Sequence, residues 1–125
     1  VTISPTSDTT EWTLADWNYA RVSLSAEQAQ GKPVDVIGFV YRDETLPDDQ
    51  FYAVRYTLSC CVADRTAASL LVTMPNAAAL QNDSWVRVTG TIEAQRAQGD
   101  DLPIFMIADA QVEPVEQPKD PYLYQ

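Results

Sequence analysis

Apolar and polar positions alternate with a period of two residues along most of the chain after Lys32. The first run covers Val34 to Tyr41, in which Val34, Val36, Gly38 and Val40 alternate with Asp35, Ile37, Phe39 and Tyr41. Successive side chains of a strand point to opposite faces, so the period predicts a β-strand. Both sets are mostly apolar, so we expect this strand to be largely buried on both faces.

Four more runs predict further strands. They are Phe51 to Cys60, Ser69 to Met74, Trp85 to Ala94, and Ile104 to Val112 with an extension towards Val115. In the fourth strand we expect Val86, Val88, Gly90, Ile92 and Ala94 to point inward.

Ala77 to Gln81 (AAALQ) predicts a short helix between the third and fourth strands, because alanine and leucine favour helices. Five strands with a helix between the third and fourth predict an all-β, OB-fold-like Greek-key barrel. Gly38 and Gly90 lie mid-strand, where barrels bend or bulge.

The segment before the barrel predicts a helical extension. Thr13 followed by Asp16 is typical of a helix N-cap with an acid in the first turn, and Ser25 to Gln30 favours a further helical turn that ends at Gly31. Residues 1–11 are small and polar and predict a linker, and the start at Val1 suggests a piece of a longer protein. We expect one barrel domain with its extension at 12–115 and an irregular tail at 116–125.

Charge and composition narrow the functional classes. The chain of 125 residues has 8 Lys and Arg against 18 Asp and Glu, a net charge of −10. Phosphate backbones need a basic surface, so nucleic acid is not an expected partner. The chain has no His, which removes the commonest general base and metal ligand, and no enzyme motif is present, so we predict a non-catalytic domain. No apolar run approaches ~18 residues, so we expect no direct membrane insertion by this fragment.

Cys60 and Cys61 are the most chemically suggestive pair, and three interpretations stay open. Adjacent cysteines in a regular strand point to opposite faces and can both be inert core residues. A turn could instead bring both sulfurs to one side with Asp64, forming a site for a thiophilic ion such as Zn²⁺, Cu⁺ or a trivalent metalloid. The third interpretation is a strained vicinal disulfide, since neighbouring Cα atoms lie only ~3.8 Å apart.

Two further sets of residues are candidates for binding. Arg55, with Arg65, could hold a small anion on the outer face of the second strand, where OB-folds bind ligands. Against this, a solvated face with Arg paired to acids is common. The aromatic side chains could stack bases, but their strand positions and the negative charge favour core packing instead. This aromatic set is Trp12, Trp17, Phe39, Tyr41, Tyr52, Tyr56, Trp85 and Phe105.

Three segments together resemble a known family. They are Gly31 to Arg42; Arg55 with the SCCxAD motif of Ser59 to Asp64; and Asp83 to Thr91, and the ending Asp120 to Tyr124 also fits. The chain resembles, from about Trp12 to Tyr124, the soluble C-terminal domain of a bacterial family of proposed two-component permease subunits. The SCCxAD motif is the most specific part of the resemblance.

The resemblance implies a function and a location. Members of that family look like small membrane proteins with hydrophobic segments before this domain, and they are paired with a separate permease subunit. We therefore expect a membrane-tethered accessory or ligand-binding domain that is itself soluble. The scarcity of lysine is compatible with an extracytoplasmic position, and the resemblance leaves the side of the membrane open. The alternatives are a structural interaction module with buried cysteines and an oligonucleotide-binding OB domain. The resemblance draws attention to Cys60, Cys61 and Asp64 as a site but does not name a transported substrate.

Overall fold

The computed structural model describes residues 3–4, 6–59, 65–96 and 102–124, which form two short helices and six strands. The helices are α1 (Leu14–Ser23) and α2 (Ala26–Ala29). The strands are β1 (Pro33–Tyr41), β2 (Gln50–Leu58), β3 (Thr66–Thr73), β4 (Trp85–Gln95), β5 (Ile104–Pro114) and β6 (Leu123–Tyr124). Short 3₁₀ turns lie at Thr9–Glu11 and Ala77–Ala79.

Strands β1 to β5 close into a barrel. Neighbours around it follow the order β1, β2, β3, β5, β4 and back to β1, and all pairs are antiparallel except β3 with β5. This is the arrangement of a five-stranded OB-type Greek-key barrel. The fold class predicted from the strand pattern is therefore confirmed.

The interior of the barrel is filled by aliphatic side chains from every strand and closed by tryptophans from the N-terminal extension. Trp12 and Trp17 are almost fully buried and meet edge to face, with ring centroids 4.7 Å apart, and Trp17 meets Phe105 of β5 in the same way. Such pairs contribute about 0.5–1.5 kcal/mol beyond the burial of their area. The helical extension therefore belongs to the core of the barrel.

Both helices begin as the sequence predicts. Thr13 caps α1 by accepting from the backbone N–H of Asp16, and the Asp16 carboxylate accepts from the backbone N–H of Thr13. Ser25 and Gln28 form the same reciprocal pair at the start of α2. Gly31 follows α2 with φ of +80°, a conformation that glycine adopts without strain.

Gly90 marks a bulge that bends β4 against β5. The pairing register shifts between Thr89 and Thr91, where Asp109 on β5 has φ of +52°. A Cβ at Gly90 would lie 2.7 Å from the carbonyl oxygen of Ala108, so only glycine fits without displacing the backbone. The prediction that this glycine lies at a bend of the barrel is confirmed.

The element between β3 and β4 is shorter than predicted. Ala77 to Gln81 was expected to form a helix, but only a 3₁₀ turn at Ala77–Ala79 forms. Asn76 before it is left-handed, with φ of 63°, and Leu80 after it is extended, so neither end can propagate an α-helix. The buried side chain of Ala77 sets the position of the turn more than helix propensity does.

The expectation of core packing for most of the aromatic residues is correct for three and wrong for four of them, and Trp85 lies on the outward side of β4, as its position in that strand predicts. Trp12, Trp17 and Phe105 are buried, whereas Phe39, Tyr52, Tyr56 and Trp85 are half-buried and Tyr41 is 46% exposed. For Phe39 and Tyr41 the cause is the strand phase: Val34, Val36 and Val40 occupy the core side of β1, which turns its odd-numbered positions outward. The second face of β1 is therefore only half-buried. On β2, Phe51 and Ala53 occupy the core side at the positions that flank Tyr52.

Both ends of the chain make contacts with the barrel. In the range 1–11, the buried Thr9 donates its hydroxyl to the carbonyl oxygen of Pro33, 2.6 Å away. In the range 116–125, β6 pairs in parallel with β2, aligning Leu123 with Thr57 and Tyr124 with Leu58. β1 pairs with β2 only as far as Phe39 and Val54, so β6 pairs with β2 beyond that point.

Candidate functional site

Cys60, Cys61 and Asp64 lie outside the described residues, in the connection between β2 and β3. The described ends of that connection are firmly paired. Thr57 of β2 aligns with Thr66 of β3, and their hydroxyl oxygens are 2.7 Å apart in a hydrogen bond. The three predicted ligands are thus connected to two strands whose separation is fixed by the barrel.

A cavity of about 700 Å³ borders these strand ends. It is lined by Thr57, Thr66, Ala67 and Ala68 from the strands, by Ala15, Asp16, Asn18 and Tyr19 from α1, and by Ile3 and Tyr124. Its walls hold carboxylate, amide and hydroxyl groups beside apolar ones. Thr57 precedes Cys60 by three residues and Thr66 follows Asp64 by two. A cavity of this size is large enough for a small ligand.

Two polar groups in this cavity already have structural roles. The Asn18 amide donates to the carbonyl oxygens of Leu14 and Ser69, which joins α1 to β3. The Asp16 carboxylate caps α1. Both groups are therefore already hydrogen-bonded within the fold. The described part of the chain contains no cluster of three His, Cys, Asp or Glu that could hold a metal ion.

Arg55 contacts the C-terminal tail. Its Nε donates to the carbonyl oxygen of Pro121 at 3.2 Å, and its Nη2 donates to that of Asp120 at 3.0 Å. The guanidinium carbon lies 5.8 Å from the ring centroid of Trp85, within cation–π range. Partial burial lowers the pKa of Arg55 and the charge of Asp120 opposes that shift, but the side chain stays charged at neutral pH.

Arg65 and Arg87, also on the outer surface, have different surroundings. The guanidinium carbon of Arg65 lies 4.9 Å from the ring centroid of Tyr56, and Arg65 has no salt bridge within the described ranges. Arg87 makes a bidentate pair with Asp35 at 2.8 and 2.5 Å, and this hydrogen bonding lowers the pKa of Asp35. The charge of Arg87 is therefore neutralised by neighbouring acids, whereas Arg65 forms no salt bridge with any described residue.

The outer face of β1, β2 and β4 is a site that the sequence analysis missed. We call Phe39, Tyr41, Tyr52, Val54, Tyr56 and Trp85 the aromatic face. Phe39 is its centre, with ring centroids 5.4 Å from Tyr56 and 5.6 Å from Trp85. All of its members except Trp85 line, with Ala67 and Ser69, a groove of about 310 Å³. The sequence does contain a signal for this face. Phe39 and Tyr41 occupy odd-numbered positions of β1, whereas the core valines occupy even-numbered ones.

The longest helix in the described part of the chain is α1, with ten residues, and none there is long and apolar enough to cross a bilayer.

The fold and the surfaces above define a small OB-type barrel that presents a polar cavity and an aromatic face. Residues 6–125 match the family model of the DUF1980 C-terminal domain. The chain therefore belongs to the DUF1980 C-terminal domain family, which confirms the family that the SCCxAD motif and its flanking segments indicated.

Two relatives are similar to this chain. One is the UPF0703 protein YcgQ of Bacillus subtilis, 26% identical over 96 residues that cover 75% of this chain and 33% of that protein. The other is a Streptococcus mutans protein named "Putative two-component membrane permease complex subunit", 30% identical over 105 residues that cover 82% of this chain and 37% of that protein. The chain thus spans about a third of the length of these curated relatives, and neither name describes an enzyme.

Proposed function

We propose that this chain is a non-catalytic accessory domain of a membrane permease complex, which binds a thiophilic metal or metalloid ion through Cys60 and Cys61 with Asp64. The observation that supports it most is the likeness over 82% of the chain to a relative named as a subunit of such a complex. On this proposal the rest of the full-length protein tethers the domain to the membrane, on the extracytoplasmic side, and a separate permease subunit is its partner.

The chemistry of the three side chains supports the choice of ion. Two thiolates and one carboxylate suit soft or borderline ions, whereas Mg²⁺ and Ca²⁺ prefer oxygen ligands alone. Three protein ligands leave one coordination position of the ion open. A domain that hands its ion to a transport partner needs such an open position, because the ion must be released again. The polar cavity beside Thr57 and Thr66 provides space for a further ligand or for solvent.

The position of the proposed ligands supports a carrier role. Their segment joins two strands of the closed barrel, so ion binding would change the chain locally while the barrel stays fixed. Arg55 has a supporting part in this proposal: it binds a ligand only when it leaves the tail carbonyls that it now contacts.

The proposal is tested by titrating the reduced, folded domain with a thiol reagent, with and without Zn²⁺, Cu⁺ or arsenite. We expect two thiols to react within the folded state and an added ion to protect both, because a bound thiolate is not available as a nucleophile. Cys60→Ser and Cys61→Ser should each abolish the protection, and Asp64→Asn should weaken it. Thiols that react only after denaturant is added would show that both cysteines are core residues, which favours an interaction module instead.

A further inference from the structure

The aromatic face is an apolar patch on the outside of an otherwise highly charged molecule. Tyr41 is 46% exposed, and the remaining members are at least partly covered by one another. Tyr and Trp are enriched where proteins meet partners. The aromatic face is therefore a candidate contact surface.

The occupant must be recognised by side chains, because little strand edge is open in this face: β2 pairs with β1 as far as Val54 and with β6 from Thr57, which leaves Arg55 and Tyr56 between them. β2 is paired with β3 from Gln50 to Thr57, and β1 is paired with β2 and β4 at Phe39. Two open residues on one strand are too few for a peptide that adds a strand. Contacts between rings and charges are what remain.

The two ends of the groove carry opposite charges. At one end the Tyr41 hydroxyl donates to the Asp43 carboxylate at 3.1 Å, and the hydrogen bonds that Asp43 accepts from Thr45 and Tyr41 lower its pKa and keep it ionised. At the other end Arg65 lies over Tyr56. Tyr52, which pairs with Tyr41, and Tyr56 are four residues apart on β2, or about 13 Å.

We propose that the aromatic face binds the same face of a second copy of this chain, about a two-fold axis that lies in the interface and runs across the strands. This axis turns one groove end for end relative to the other. It places the Asp43 end of each copy against the Arg65 end of its partner, and it stacks the central rings on each other. A two-fold axis along the groove would bring Asp43 to Asp43 and Arg65 to Arg65, which is repulsive.

The net charge of the chain argues against a polyanion at this face, and it makes the association of two copies depend on the salt concentration. A net charge of −10 repels polyanions such as nucleic acid. It also repels a second copy, so the rings must supply the association. At 0.15 M salt the Debye length is about 8 Å, which screens distant charges but leaves the close Asp43–Arg65 pairs attractive.

The test is a charge-swap cycle measured by sedimentation equilibrium at 0.15 M NaCl, in reductant so that no disulfide can link two copies. We expect the wild-type chain to dimerise reversibly below about 1 mM. Arg65→Glu and Asp43→Arg should each raise the dimer Kd by about fivefold or more, and the double variant should restore it. Arg96→Glu, which reverses an exposed Arg that pairs with Glu27 elsewhere, should leave the Kd unchanged.

A second pair of variants tests the rings independently of the charges. Tyr41→Lys should abolish dimerisation, whereas Tyr19→Lys, which changes a more exposed tyrosine on α1, should not. Circular dichroism checks that each variant is folded. A wild-type chain that stays monomeric at about 1 mM would overturn the proposal. So would a double charge variant that is no tighter than either single variant, because the two charges would then not meet.

Discussion

Single residues fix the geometry of the barrel at the positions where strands approach most closely. Gly38 faces the core from the middle of β1, and a Cβ placed there would lie 2.8 Å from the carbonyl oxygen of Val54 and 2.9 Å from Cδ1 of Leu14. The first contact is with backbone, which cannot rotate away. The absence of a side chain at Gly38 is what allows β1 and β2 to pair and α1 to cover them.

Gly38→Ala should therefore destabilise the domain. We expect a loss of about 1–3 kcal/mol in the free energy of unfolding, because the added methyl forces the two strands apart or displaces Leu14. Urea denaturation followed by tryptophan fluorescence measures this change. Thr91→Ala, on the exposed side of β4, is the control and should stay within about 0.5 kcal/mol. An unchanged midpoint for Gly38→Ala would mean that the strands can separate at little cost.

A second prediction at the residue scale concerns pH. The pair with Arg87 lowers the pKa of Asp35 in the folded state, so the pair stabilises the fold above the pKa of the unfolded side chain. That stabilisation is lost as the pH falls through the lowered folded pKa, below the ordinary value of 3.8. Asp35→Asn should lower the urea midpoint slightly at pH 7, and its effect should shrink as the pH falls below 3.8.

Glu93→Gln is the matched control for this pH dependence. Glu93 lies on the exposed side of β4 and forms no salt bridge with any described residue, so removing its charge should not lower the midpoint at pH 7. Equal losses in both variants would show that overall charge, and not the pair with Arg87, determines the effect.

At the scale of elements, the C-terminal tail acts as a sixth strand that one side chain holds in place. Arg55 donates to two tail carbonyls, and β6 pairs with the end of β2 only two residues further on. A strand of two residues has little stability of its own, so its position depends on these hydrogen bonds. Hydrogen bonds from a charged donor contribute about 1.5–3 kcal/mol each.

Arg55→Met should release the tail while the barrel stays intact. We expect amide hydrogen exchange in β6 to rise by at least about tenfold, with little change in β4 and β5, because only local opening becomes easier. Exchange measured by mass spectrometry or NMR distinguishes the two regions. The control is Arg96→Met, which removes an Arg that pairs with Glu27 of α2 instead of with the tail. Protection of β6 that survives in Arg55→Met would mean that strand pairing alone holds the tail.

At the scale of the whole molecule, the sequence predicts the architecture better than it predicts the surfaces. The period of two in β1 and β4 and the order of strands were enough to give a five-stranded barrel, because burial on one face imposes that period. The same period left the roles of the two faces of β1 undecided, since Ile37 and Phe39 are as apolar as Val36 and Val40 beside them. Only the closure of the barrel assigns the valines to the core.

The candidate sites show the same limit. The tail contacts of Arg55 join residues more than sixty positions apart, and no local pattern indicates them. The aromatic face likewise combines β1, β2 and β4, which meet only after folding. The cysteine pair and its motif were evident from the sequence, and their role as ligands stays a prediction for the thiol titration.

The cavity beside α1 has one further consequence, because Ile3 and Tyr124 both line it. Described residues from near the beginning and near the end of the chain therefore border the same cavity on the barrel surface. A domain whose ends meet can be inserted into a longer protein as a single side branch, without stretching the chain across it.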